Sequence, residues 1–271
     1  MIERLRMNQD KPMFSIIVVC LNPGEKLSQT IESIMTQTEA DYEVIVKDGL
    51  SKDGSLETLP ENPKIKKFSQ KDTGIYDAMN QAVKFSTGEY LYFLNCGDYF
   101  YNKDSLKLIK AGITKNPGRK IYYGNAFFRR ADTVIHVPKK IDDFTCFRNI
   151  PCHQACVFES SLFEKKGFEL YYKIRADYEF FLRSYFNFEI DPCYLEVVIA
   201  DYEGGGFSES KANSKRDKQE HIQIVNRFMK KSQIIRYQLF MIITLQVLRK
   251  YIAERSCLSG FYDKVKSKLY K

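Results

Sequence analysis

The chain has 271 residues, 44% of them hydrophobic and 28% charged, which is enough for one sizeable α/β domain with something appended. Its net charge of +8 is unevenly spread: residues 1–210 carry 27 basic and 30 acidic side chains, whereas 211–271 carry 15 and 4. That division argues against a nucleic-acid-binding face in the main domain, and the uncharged run 237–248 is too short for a bilayer span, which needs about 20 residues.

In chain order, the N-terminus is polar through Asp10 and shows no signal-peptide pattern, and the first apolar run, 14–20 (FSIIVVC), reads as a buried strand. Asn22-Pro23-Gly24 is a turn feeding a helix in which Leu27, Ile31, Ile34 and Met35 form a core-facing stripe. Residues 42–46 make the next strand, running into Lys47-Asp48-Gly49, and a further strand is expected at 65–68. The loop Asp72-Thr73-Gly74 opens a second helix with Ala78, Ala82, Val83 and Phe85 as its apolar positions. The apolar run 90–94 then stops at Asn95-Cys96-Gly97-Asp98. Asn116-Pro117-Gly118 closes another helix, and 121–128 with 134–137 suggest a hairpin.

Two strands of one βαβ series thus end in an acid. Right-handed crossovers bring both ends to the same edge of the sheet, where open α/β sheets bind ligands. A lone Asp98 suffices for one divalent cation, because Mg²⁺ takes one or two protein carboxylates and completes its shell with phosphates and water. The same residues also suit an ordinary turn. After the first strand there is only Gly24, and no glycine-rich loop ends in Lys-Ser or Lys-Thr, which disfavours a dehydrogenase and a P-loop NTPase.

The residues that carry a resemblance are 15–22 (SIIVVCLN), Ser33, Gln37, 43–55 (EVIVKDGLSKDGS), Gly74, Asn80, Gly88 and 93–98 (FLNCGD). In that order and spacing they resemble glycosyltransferase family 2, the inverting enzymes of the GT-A fold. The segment 72–80 (DTGIYDAMN) is similar to a bacterial subset that builds cell-envelope polysaccharides. The resemblance implies a Rossmann-like, mostly parallel α/β sheet flanked by helices. It would make 1–12 an N-terminal tail, 13–210 the catalytic domain and 211–271 a basic amphipathic helical extension. It further implies a nucleotide-diphosphate sugar as donor, a saccharide or lipid-linked saccharide as acceptor, and Mg²⁺ or Mn²⁺. Donor binding falls to Cys20, Asn22, Asp48, Asp72, Gly74, Tyr76, Asn80 and Asn95, with Asp48 on the base or ribose, and the metal falls to Asp98. Two departures stand out. The family's Asp pair after the second strand is here Asp48-Gly49, and its Asp-x-Asp-Asp is reduced to Asn95, Gly97 and Asp98. Metal affinity is therefore expected to be modest and to depend on the donor's phosphates.

Displacing a nucleotide diphosphate from an anomeric carbon needs a base for the acceptor hydroxyl. The resemblance puts it at Asp177, in 174–183 (IRADYEFFLR), before a helix with the stripe Tyr178, Phe181, Leu182 and Tyr185. An N-cap is the structural alternative; the positive helix end lowers such a carboxyl's pKa, whereas partial burial raises it. Glu179 is the competing carboxylate. His153-Gln154 recurs in this subset near the acceptor side and is assigned to the acceptor or the leaving diphosphate, with a backbone-satisfied His as the alternative. The spacing of Cys146, Cys152, His153 and Cys156 lacks the paired knuckles of structural zinc sites. Residues 202–208 (YEGGGFS) read either as a loop closing over the donor or as a linker.

In the extension, Ile222, Val225, Phe228 and Met229 form a helical stripe. Apolar bulk flanked by Arg and Lys across 217–256 suits an anionic membrane surface, the alternatives being packing on the main domain or in a homodimer. Seven cysteines, an odd number with several in predicted strands, point to reduced thiols in the cytoplasm, with peripheral attachment at the inner face of the cell membrane. The expected function is an inverting hexosyl- or N-acetylhexosaminyltransferase of polysaccharide biosynthesis. A nucleotide-sugar-binding protein without transferase activity is the alternative. A nucleotidyltransferase would need an Arg- and Gly-rich signature that Leu21-Asn22-Pro23-Gly24 does not supply.

Overall fold

Strand β1 (Phe14–Cys20) is buried along its whole length, as its apolar run, interrupted only by Ser15, requires of a central parallel strand. It pairs in parallel with β2 (Tyr42–Asp48) on one side and β4 (Tyr90–Phe93) on the other, and β3 (Ile65–Ser69) extends the parallel set beyond β2. This computed structural model describes residues 11–205 and 210–243. Beyond β4 the sheet becomes mixed. There β8 (Cys156–Glu159) runs antiparallel to both β4 and β6 (Ile121–Phe128), and β6 carries β7 (Thr133–Ile135) as the expected hairpin. A parallel partner for β6, β9 (Cys193–Tyr202), completes the path to the short β5 (Tyr99–Phe100). The order is β3-β2-β1-β4-β8-β6-β9-β5, with β7 off the path. The Rossmann-like α/β sheet is thus a parallel set of four, continued by a mixed set.

Helix α1 (Glu25–Met35) lays Leu27, Ile31 and Ile34 on the sheet with Thr30 between them, while Met35 is only partly buried. Helix α2 (Ile75–Val83) buries Tyr76, Ala78, Met79 and Ala82. Val83, the last helical residue, is only partly buried, and Phe85 lies beyond the C-cap Lys84, where, 37% exposed, it stacks on Phe68 at 3.8 Å. Gly74 starts α2 with φ 134°, a left-handed conformation that a side chain would strain. Helices α3 (Ser105–Lys115) and α4 (Asp143–Arg148) follow, the second capped by Asp142 accepting from the Thr145 amide at 2.7 Å.

Helix α5 (Ala176–Asn187) is buried nearly all round over its first two turns, Glu179 and Arg183 included. Its Phe180 stacks on Phe163 at 4.3 Å, and Glu179 pairs with Arg183 at 3.3 Å. The expected stripe member Tyr185 is only half-buried.

The chain divides into compact units at 1–221 and 222–271, between His221 and Ile222 rather than at the charge step after residue 210. Helix α6 (Ser214–Phe228) explains why. Its Asp217 takes the Arg175 guanidinium at 2.7 and 2.9 Å, and Glu220 accepts the amides of Lys173, Ile174 and Arg175 at 2.9–3.0 Å. These bonds make the start of α6 part of the first unit. In the second unit Ile224, Val225 and Met229 are buried, whereas Ile222 is 58% exposed. Both Ile222 and Ile224 keep a helical spacing with the residues that follow, so periodicity alone does not choose between them. Helix α7 (Lys231–Ile243) exposes Ile235, Leu239, Phe240, Ile242 and Ile243. Residues 244–256 of the expected membrane-facing segment lie outside the described residues. Among the described residues no helix is long and apolar enough to cross a membrane.

Candidate active site

Parallel register puts Cys20 beside Asp48 and Ile17 beside Phe93, so β1, β2 and β4 deliver their ends to one edge. At the end of β4 the chain turns at once, the Asp98 amide reaching Asn95 O at 2.9 Å. Thr30 of α1 clamps this turn, accepting from the Gly97 amide at 2.9 Å and donating to Asp98 O at 3.1 Å. The Asp98 carboxylate is 4% exposed and accepts from Gln154 Nε2 at Oδ2 and the Glu203 amide at Oδ1, both at 2.9 Å. Burial pushes its carboxyl above the usual range, against the pull of those two donors. Arg129, 4.2 Å over the Tyr99 ring, reaches Gly97 O at 3.4 Å. Glu203 is held by Lys26 of α1 at 2.6 Å, so residues 202–205 strap the turn, while 206–208 of the expected loop lie outside the described residues.

Asp177 stands in the first turn of α5 and not at the N-cap, which is Arg175. Its Oδ1 accepts from the Tyr178 amide at 2.8 Å and lies 2.9 Å from the Tyr76 hydroxyl, which also reaches Ile174 O at 2.6 Å. Its Oδ2 is 2.9 Å from His153 Nδ1. Burial opposes ionisation, but the His153, Tyr76 and Tyr178 donors outweigh it and hold the carboxyl below the ordinary range. An ionised carboxylate with one Oδ2 lone pair left over is in the right state to accept a proton. Glu179, the competing acid, is 0% exposed and bound up with Arg183.

His153 and Gln154 sit on one 3₁₀ turn (His153–Ala155) and each engages an acid: His153 holds Asp177, and Gln154, 3% exposed, holds Asp98. Expected to bind acceptor or diphosphate, both are in this arrangement committed to carboxylates. On its other side His153 Nε2 meets Asn95 Nδ2 at 3.0 Å, and Asn95 Oδ1 is buried with no hydrogen-bond partner among the described residues.

A cleft of about 600 Å³ opens at this edge, lined by Cys20, Leu21, residues 72–78, Leu170, Tyr172, Lys173 and Arg216. Of the expected donor residues, it gathers Cys20, Asp72, Gly74 and Tyr76. Asp72 is positioned by a cation that sequence reasoning missed. Lys47, 0% exposed, donates to Asp48 O (3.0 Å), Gln70 O (2.6 Å) and Asp72 Oδ2 (2.7 Å), which satisfies all three of its protons. A Cβ built on Gly49 would lie 2.9 Å from Asp72 Oδ2. The space after Asp48 that a second acid would enter is therefore taken by the carboxylate of Asp72.

The remaining expected donor residues do not line this cleft. Asp48 is 2% exposed and spends its oxygens on the Ser51 and Ser69 hydroxyls and the Leu50 and Ser51 amides, shaping the loop in which Leu50 is left-handed. Asn22 accepts from the Lys52 amide at 2.8 Å, and Asn80 clasps Phe168 through both its amide groups at 2.8 and 2.9 Å. The roles of Lys47 and Glu203 carried no sequence signal, since Asp72 and Lys26, the ions they pair with, lie 25 and 177 positions away.

The residues near Asp98 fit a hard divalent cation. Each carboxylate oxygen keeps a lone pair beyond its bond to Gln154 or Glu203, and Asn95 in the same turn adds an unpartnered oxygen.

A parallel set with an acid turn where its strands end is the arrangement of the GT-A class of fold. In agreement, the chain superimposes on Staphylococcus aureus TarS in complex with UDP-GlcNAc (TM-score 0.65, 19% identity, 83% of this chain and 70% of that one). It also superimposes on the mannosyltransferase PcManGT from Pyrobaculum calidifontis in complex with GDP-Man and Mn²⁺ (TM-score 0.64, 16% identity, 96% and 81%). In sequence it is 35% identical over 204 residues to a PGL/p-HBAD biosynthesis glycosyltransferase of Mycobacterium tuberculosis, covering 73% of this chain and 79% of that protein. The family model for Glycosyl transferase family 2 matches residues 15–168. The chain belongs to that family and is a glycosyltransferase.

Proposed function

We propose that this chain is an inverting transferase moving a sugar from a nucleotide-diphosphate donor to a hydroxyl of a saccharide, lipid-linked in the cell, during polysaccharide assembly. The observation that carries the reading is the pairing of two acids through adjacent residues: Gln154 to Asp98 and His153 to Asp177. An acid for the leaving diphosphate and a base for the incoming hydroxyl are thereby held by one rigid turn. Oδ2 of Asp177 accepts the hydroxyl proton as the oxygen attacks the anomeric carbon from the face opposite the diphosphate, which inverts that centre. Asp98, with Asn95, would hold Mg²⁺ or Mn²⁺, which when bound neutralises the departing phosphates. Asp72, Gly74, Tyr76 and Cys20 line the donor's cleft.

The reading is tested by nucleotide release and thermal shift with UDP-GlcNAc, UDP-glucose and GDP-mannose, with and without Mg²⁺ or Mn²⁺. Turnover of at least one donor that rises with the cation is expected; binding without turnover would refute it in favour of a nucleotide-sugar-binding protein.

The basic second unit supports attachment to the inner face of the cell membrane. Helix α7 presents Ile235, Leu239, Ile242 and Ile243 to solvent within a segment, 211–271, that carries 15 basic and 4 acidic side chains. Apolar insertion plus attraction to anionic headgroups is how such a helix binds lipid. The full chain is expected to sediment with phosphatidylglycerol vesicles at low salt, and Leu239→Glu with Ile243→Glu to abolish this. A stable dimer in light scattering that the same substitutions convert to monomer would instead assign the face to a second copy.

A further inference from the structure

Resting on that reading of Asp177, we propose that His153 is the positioning residue of the base: its Nδ1–H fixes the carboxylate so that one Oδ2 lone pair points to the incoming hydroxyl. Two observations define the ring's hydrogen bonding from both ends. Nδ1 lies 2.9 Å from Asp177 Oδ2, and an ionised carboxylate only accepts, so Nδ1 carries a proton. Nε2 lies 3.0 Å from the Asn95 amide nitrogen, which only donates, so Nε2 is the acceptor. The ring is held as the Nδ1–H tautomer in a side chain 12% exposed. Rotating the Asn95 amide would place its oxygen on Nε2 and require an imidazolium, so the two arrangements differ in a property that can be read directly.

The anchoring is rigid. The 3₁₀ turn His153–Ala155 closes with the Ala155 amide on Cys152 O at 2.9 Å, and Gln154 O accepts from the buried Tyr92 hydroxyl of β4 at 2.7 Å. β8 then carries the chain straight into the sheet between β4 and β6. His153 therefore inherits the position of the sheet, and with the Tyr76 and Tyr178 contacts at Oδ1 it leaves the carboxylate one open direction. Orientation of this kind is the service a third group renders to the nucleophile–base pair in a catalytic triad, here given to the base itself. A misplaced base costs about 10²-fold in rate.

The test combines kinetics with a spectroscopic reading. Nucleotide release from UDP-GlcNAc, UDP-glucose and GDP-mannose, with water as acceptor, is measured for the full chain and for His153→Ala and His153→Asn. His153→Ala is expected to lose about 10²-fold in kcat with donor KM within about twofold. His153→Asn, whose Nδ2 occupies the place of Nδ1, is expected to recover at least about a tenth of wild-type kcat at a melting temperature similar to that of the alanine variant. Full kcat in the alanine variant, or no recovery in the asparagine variant, would overturn the proposal. Independently, ¹⁵N NMR at pH 8 reads the chain's three histidines. An Nδ1–H signal for His153 that disappears in Asp177→Ala is expected, and an Nε2–H form without a proton on Nδ1 would overturn the assignment. If the wild type releases no nucleotide from any donor, the transfer reading fails while the NMR result still decides the lock.

Discussion

Replacing Asp177 by Asn is expected to lower turnover by about 10²–10⁴-fold while leaving donor affinity, measured without cation, within about twofold. The substitution removes the one lone pair able to take a proton and keeps the shape. Oδ1 can still meet Tyr76 and Tyr178, and the new amide faces His153, which accommodates it by exchanging its Nδ1 proton for one on Nε2 with rotation of the Asn95 amide. The cleft residues proposed for the donor, Asp72, Gly74 and Cys20, are untouched. Stability has a definite sign. The Asp177 carboxyl is held below its usual range in the folded chain, so its contribution is present above the unfolded pKa and is lost as pH falls through the folded one. At pH 7 the Asn variant should therefore melt below the wild type, with the gap closing in acid. Calorimetric donor binding beside nucleotide release checks both halves, and near-normal turnover would mean that another group is the base.

Asp98→Asn is expected to act in the opposite direction on stability while also ending transfer. Turnover should fall about 10²–10³-fold, the scale of removing one electrostatic stabiliser of a leaving group, and the response to Mg²⁺ or Mn²⁺ should vanish. Because burial raises the Asp98 carboxyl above its unfolded value, the folded chain binds more protons than the unfolded chain, and this group's contribution to stability falls as pH rises through that window. At pH 7 the ionised, nearly buried carboxylate is therefore a cost that the neutral amide relieves. Gln154 can turn its oxygen to the new amide, and the remaining oxygen still accepts from Glu203. A melting temperature at or above wild type, together with lost turnover, is the expected signature. A lower one would mean that the acid serves the fold more than the reaction.

Asp98 was singled out in the sequence because a short apolar strand stops at it, and Asp177 because the resemblance to glycosyltransferase family 2 places its base ahead of an aromatic stripe at helical spacing. Their relation could not be read there. His153 joins Asp177 across 24 positions and Gln154 joins Asp98 across 56, through a turn whose composition carries no trace of either partner. Asp48 and Asp72 make the same point. Both stand where an α/β sheet binds ligands, yet Asp48 is consumed by two serines and two amides, whereas Asp72, braced by buried Lys47, reaches the cleft wall. Hydrogen-bond capacity decides between them, and it is counted only when partners distant in sequence are brought together.

By itself the sequence determined the first four strands, the helices between them and the common edge of β2 and β4, because periodicity and strand-end residues are local and each segment carries its own. Strands β5 and β9 and helix α4 carried no such reading. Tertiary structure alone decided which carboxylates keep a free lone pair, which are spent on the fold, and which way each pKa moves. Those properties depend on burial and on donors supplied by the 3₁₀ turn before β8, by α2 and by the strap at Glu203, elements that meet only when the sheet closes.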